Sequence, residues 1–124
     1  MSKPPPPPDP TARFFEMLAV RDHEELLRKA NGCTRFDIVA GRKTDRWFVT
    51  IDNGDIVVTR KPSHADCVLR ADRAVFDKVA GGKLNAVAAV LRGDLGVEGD
   101  WRLLVRMQRL FPSPRSSRRK RAAA

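Results

Sequence analysis

Between Thr34 and Thr59 the chain alternates apolar and polar residues with the two-residue period of half-buried strands. No other feature constrains the fold as tightly. Thr34, Phe36, Ile38 and Ala40 fall on one side, with Arg35 and Asp37 on the other. Trp47, Val49 and Ile51 repeat the pattern after a polar turn over Gly41 to Asp45. Asp52-Asn53-Gly54-Asp55 is a hairpin turn leading into Ile56, Val57, Val58 and Thr59. These spacings predict a meander of three antiparallel strands.

Lys61-Pro62-Ser63-His64 breaks the meander, and the period then changes. Cys67, Val68 and Leu69 read as a fourth short strand, with Asp72 capping a helix whose apolar face is Val75, Phe76, Val79 and Ala80. Gly81-Gly82 stops that helix, and a second covers Leu84 to Leu91. A fifth strand carries Leu95 and Val97. Gly99-Asp100 starts the last helix, with Leu103, Leu104, Met107, Leu110 and Phe111 on one face, ended by Pro112 and Pro114. Upstream, Asp9-Pro10 opens a helix that buries Phe14, Phe15, Leu18 and Ala19. Asp22 and Glu25 are spaced like a capping box, which predicts a second helix or a continuation to Ala30, closed by Asn31-Gly32. Strands followed by helices make the fold class α+β, with a five-stranded, mostly antiparallel sheet.

The 124 residues fit one domain, and 42% hydrophobic residues supply a core. The boundaries read as a Pro-rich leader over 1–10, a domain over 11–112 and a basic tail over 113–124. Lys3 to Pro8 has the composition of a solvated polyproline rod. The longest apolar run, Ala86 to Leu91, is far below the roughly 18–20 residues of a membrane span. The N-terminus lacks an apolar signal stretch, so a cytoplasmic location is expected. The net charge is +9, and five of the basic residues, Arg115, Arg118, Arg119, Lys120 and Arg121, stand in the tail without an acid among them.

Little in the chain points to catalysis or metal binding. Cys33 and Cys67 belong to no CxxC or Cys/His cluster, and His23 and His64 are far apart, so no metal ligands are assigned. Asp94 and Glu98, on a strand, would stand about 13 Å apart, and Asp100 reads as a helix cap. Gly81-Gly82 before Lys83 lacks the phosphate-loop pattern. No catalytic residue and no cofactor is expected.

The helix at 84–91 carries the most information. Leu84, Ala86, Val87, Ala88, Ala89, Val90 and Leu91 leave it apolar nearly all round, whereas a surface helix shows a polar side. One apolar surface meets the sheet. The other meets either the last helix or a bound apolar molecule, and periodicity leaves both open.

Gly82-Lys83-Leu84-Asn85, Ala89, Gly93, Leu95, Val97, Gly99-Asp100, Leu103, Gln108 and Leu110, in this order and spacing, resemble the sterol carrier protein 2 family of nonspecific lipid-transfer proteins. Trp47 opening a strand, the Asp-Asn-Gly turn and Ala65-Asp66 agree, so the resemblance covers about residues 14–111. It implies helices on one face of the sheet around an apolar tunnel. It also implies binding of sterols, fatty acids, fatty acyl-CoA or similar lipids, without a dedicated catalytic residue. The residues expected to line the tunnel are Phe76, Val79, Leu84, Val87, Leu91, Leu104, Met107 and Phe111. Ala86 stands where many relatives have proline, and Val90-Leu91 replace a bulkier aromatic pair, which alters the tunnel's shape. The terminal Ala122-Ala123-Ala124 is not the peroxisomal tripeptide of animal members, and from the Arg-, Ala- and Val-rich composition a GC-rich bacterial genome is expected.

Two further partners are expected. The tail, as an anionic-surface element, would attract acidic headgroups at about 1 kcal/mol per basic residue near the surface. This gives transient membrane contact. It would also attract nucleic acid through phosphates, but no aromatic residues interleave the run to stack bases, so that alternative is the weaker one. A biosynthetic enzyme that receives the lipid is the second partner class.

Overall fold

Period-2 alternation becomes a sheet with two unlike faces. The computed structural model describes residues 10–112. The leader and the tail, including Arg115, Arg118, Arg119, Lys120 and Arg121, lie outside the described residues. Five strands, β1 (Asn31–Ala40), β2 (Lys43–Asp52), β3 (Asp55–Thr59), β4 (Cys67–Asp72) and β5 (Gly96–Gly99), form one sheet in the order β3-β2-β1-β4-β5. Neighbours are antiparallel except β1 and β4, which are parallel. The helices are α1 (Pro10–Arg21), α2 (Arg73–Ala80), α3 (Ala86–Leu91) and α4 (Trp101–Met107).

Register fixes which side chains face the helices. Phe36 lies opposite Trp47 and Leu69, and Thr34 opposite Val49 and Cys67, so these six share the inner face. Phe15 of α1, Phe76 of α2 and Phe111 after α4 all place their rings within 6.3 Å of Phe36. The Thr34 hydroxyl donates to Met107 Sδ of α4 at 3.0 Å. Ala86 and Ala89 bring α3 into the same buried cluster. The helices therefore cover one face, as expected. The other face carries Cys33, Arg35, Asp37, Phe48 and Val68, and there Ser63 Oγ, from the connection after β3, lies 3.7 Å from Cys33 Sγ.

Several boundaries differ from expectation. Residues 22–30 do not form a helix: Asp22 has φ +49°, which ends α1, and only a single 3-10 turn (Glu25–Leu27) follows. The reason is a competing set of backbone partners. The Glu24 N–H donates to Gly54 O and the Ile56 N–H to Asp22 O, each at 2.8 Å, so this segment seals the exposed edge at the start of β3. The turn between β1 and β2 is only Gly41-Arg42, because pairing continues to Ala40 opposite Lys43. The helix expected from Leu84 starts at Ala86, where the Asn85 side chain accepts the Ala88 N–H at 3.0 Å. β5 begins at Gly96, beyond Leu95. The last helix passes into a 3-10 turn (Gln108–Leu110) after Met107.

Candidate functional site

A 12-residue amphipathic helix buries one stripe, and the remaining apolar residues reveal what else it does. In α1 the buried stripe is Phe14, Phe15 and Leu18. Met17 and Val20 fall off that stripe and are 70% and 84% exposed. Beside them a cavity of about 750 Å³ runs along the helix. Its buried lining is Phe14, Leu18, Ala80 and Leu110, and Met17, Val20, Pro10 and Pro112 form an apolar rim. Its charged lining residues, Arg13, Glu16 and Arg21, are exposed, and Arg21 is paired with Glu24.

Hydrogen bonds and ring contacts fix α1 beside this cavity. The Thr11 N–H and hydroxyl both donate to Asp77 Oδ1, at 3.2 and 2.6 Å, and tie the first turn of α1 to α2. Below, Phe14 stacks on Phe111 with centroids 4.5 Å apart and meets Phe76 edge-on at 5.9 Å. The cavity floor is thus a rigid aromatic layer.

The eight residues expected from the sequence to line the tunnel occupy three environments. Phe76, Val79, Leu104, Met107 and Phe111 are buried in the common core. Leu84 and Val87 are half-buried, and Leu91 is 82% exposed. The structure brings the first five together and leaves Leu91 apart. None of the eight lines the cavity along α1, although Phe76 and Phe111 support its floor. Met17 and Val20 were missed, and the signal was present: two apolar side chains on α1 outside its buried stripe.

The titratable groups are arranged structurally. Burial, reinforced by Asp100, raises the Cys67 thiol above its ordinary value, which keeps it protonated and unreactive. Among the described residues, no group of three or more His, Cys, Asp or Glu side chains is placed to hold a metal ion. None of the described helices is long and apolar enough to cross a membrane.

The fold and sequence both have known counterparts. Hydroxysteroid dehydrogenase-like protein 2 of Danio rerio is 26% identical over 109 residues, which is 86% of this chain and 26% of that protein. The chain spans about a quarter of the length of such curated relatives, whose names describe larger proteins. The crystal structure of sterol carrier protein 2 like 2 from Aedes aegypti superposes with a TM-score of 0.63 at 16% identity, covering 81% of this chain and 94% of that one. A solution structure of the palmitated Aedes aegypti protein gives 0.61 at 12% identity, covering 82% and 89%. The model of the SCP-2 sterol transfer family matches residues 14–112, which takes in all five strands and all but the first turn of α1. With sheet order, one-sided helices and family match in agreement, the chain belongs to the SCP-2 sterol transfer family.

Proposed function

We propose that this chain binds an apolar, lipid-like molecule in the cavity along α1 and carries or presents it without chemically changing it. The carrying observation is the 750 Å³ cavity whose buried lining is wholly apolar. That volume lies within the range of small-molecule sites. An apolar ligand burying about 300 Å² there would gain about 7 kcal/mol before ordering costs. Apolar contacts discriminate weakly, at about 1–3 kcal/mol per methylene, so a series of related lipids would be accepted. Fatty acids, fatty acyl-CoA, sterols and isoprenoids all fit this chemistry, and the family membership and the palmitated neighbour favour the reading.

Five of the eight residues expected from the sequence have a second part in this proposal. Phe76 and Phe111 support the cavity floor at Phe14, and Val79, Leu104 and Met107 are buried in the same core. Non-catalytic action is supported by the cavity's charged groups, an ion-paired arginine with Arg13 and Glu16, all exposed. Native mass spectrometry of the protein purified from cells, together with titration by a fluorescent fatty acid, tests the proposal. Copurified lipid and saturable one-to-one uptake are expected. Protein that is ligand-free on purification and takes up no fatty acid or sterol probe overturns it.

A further inference from the structure

The face of the sheet opposite the cavity carries a charge arrangement that lipid binding does not use. Asp37 of β1 is 2% exposed although none of the described helices covers that face. Its neighbours in register are Arg46 on β2 and Arg70 on β4, so Arg46, Asp37 and Arg70 form one row across three strands. Strand spacing puts the two arginine backbones about 10 Å apart. Arg35, two residues back on the same face, donates through Nε and Nη2 to the two carboxylate oxygens of Asp37 at 2.9 and 3.0 Å. Arg46 Nε approaches Oδ1 at 3.4 Å. Arg70 has no ion-pair partner among the described residues and is exposed.

The single carboxylate is thereby satisfied by the fork of Arg35, which leaves Arg46 and Arg70 as an excess of two positive charges. Asp72 and Glu98 hold places in the next rows on either side, which confines that excess to one row. Guanidinium groups are planar, permanently charged and matched to the oxygens of a phosphate, and a buried carboxylate that fixes one of them preorganises the set. We propose that Arg46 and Arg70, with Arg35 held by Asp37, seat a phosphate group of a ligand on the outer face of the sheet. This site is separated by the sheet from the cavity along α1, so both can be occupied together. The phosphate belongs either to a phospholipid headgroup or to a soluble phosphate-bearing molecule.

The test uses the full chain. Backbone amide spectra are recorded during titration with inorganic phosphate at constant ionic strength. Cosedimentation is measured with vesicles of phosphatidylcholine alone and with added phosphatidylglycerol. Arg46→Gln/Arg70→Gln removes the two exposed arginines, and Arg92→Gln, whose partner is Asp94 at 3.3 Å, is the charge control. Saturable shifts centred on residues 35–37, 46 and 70, weakened at least tenfold in the double variant and unchanged in the control, are expected. If pelleting with phosphatidylglycerol also falls in the double variant, the headgroup is the source. If only the phosphate titration changes, the ligand is soluble. Shifts that do not saturate or that spread over every basic segment overturn the proposal, as does a folded double variant that titrates like wild type. The amide spectrum itself reports folding, and neither result depends on lipid uptake by the cavity.

Discussion

His23 sits where α1 gives way to the edge of β3, between two carboxylates. Its Nε2 is 3.1 Å from Glu25 and its Nδ1 2.7 Å from Asp55. The hydrogen bond with Glu25, then that with Asp55, raises the His23 pKa above its ordinary 6.5, and the same contact lowers that of Glu25. A raised folded-state pKa stabilises the protein fully below about 6.5, and the contribution fades as pH rises through the folded value. His23→Gln should therefore lower the melting temperature at pH 5.5 and leave it nearly unchanged at pH 8.5. An equal loss at both values would show that the charge plays no part. Gly99 is a backbone counterpart. At φ +85° its added Cβ would clash with Asp66 O. That carbonyl also accepts the Asp100 N–H at 2.8 Å, so it cannot retreat without loss. Gly99→Ala should cost about 1–3 kcal/mol in denaturant melts.

At the scale of elements, the local signals were legible and the long-range choices were not. Alternation and the Asn53-Gly54 turn placed β1 to β3, because both residues of that turn have the positive φ its geometry needs. The parallel pairing of β4 with β1 leaves no local mark: it is decided by where the chain travels after Thr59, not by any spacing within Cys67–Asp72. The capping-box spacing at Asp22 and Glu25 misled for a similar reason, since hydrogen bonds to Gly54 and Ile56 outweigh the local preference. The tie between α1 and α2 was equally hidden, because Thr11 and Asp77 are 66 residues apart. Asp77 satisfies a donor in the first turn of α1 and the hydroxyl of Thr11, which is 4% exposed. Asp77→Ala should cost about 1–3 kcal/mol by stranding that hydroxyl, and should speed amide exchange in α1 more than in the sheet. Uniform acceleration would mean the tie does not act locally.

The whole molecule explains why the site was only half legible. An all-apolar helix in a sequence marks a surface with two neighbours, and α3 drew the expected tunnel toward itself. In the folded chain its Ala86 and Ala89 are buried in the core while Leu91 is exposed, so the two apolar sides have different surroundings. A cavity lies where α1, the end of α2 and Pro112 converge, and no single element announces it. Two tryptophan substitutions separate these locations. Met17 is exposed on the rim, so Met17→Trp should fill the cavity, change stability by no more than about 0.5 kcal/mol and reduce fatty-acid uptake at least tenfold. Val87 is half-buried on α3 and lines no part of that cavity, so Val87→Trp should leave uptake by the folded fraction intact and cost about 1–3 kcal/mol where the larger ring overpacks. Both are read by thermal melting and by titration with the same fluorescent fatty acid. The reverse outcome, a stable Val87→Trp that has lost uptake beside a Met17→Trp that binds normally, would return the ligand to the space between α3 and α4 and remove the cavity along α1 from its role.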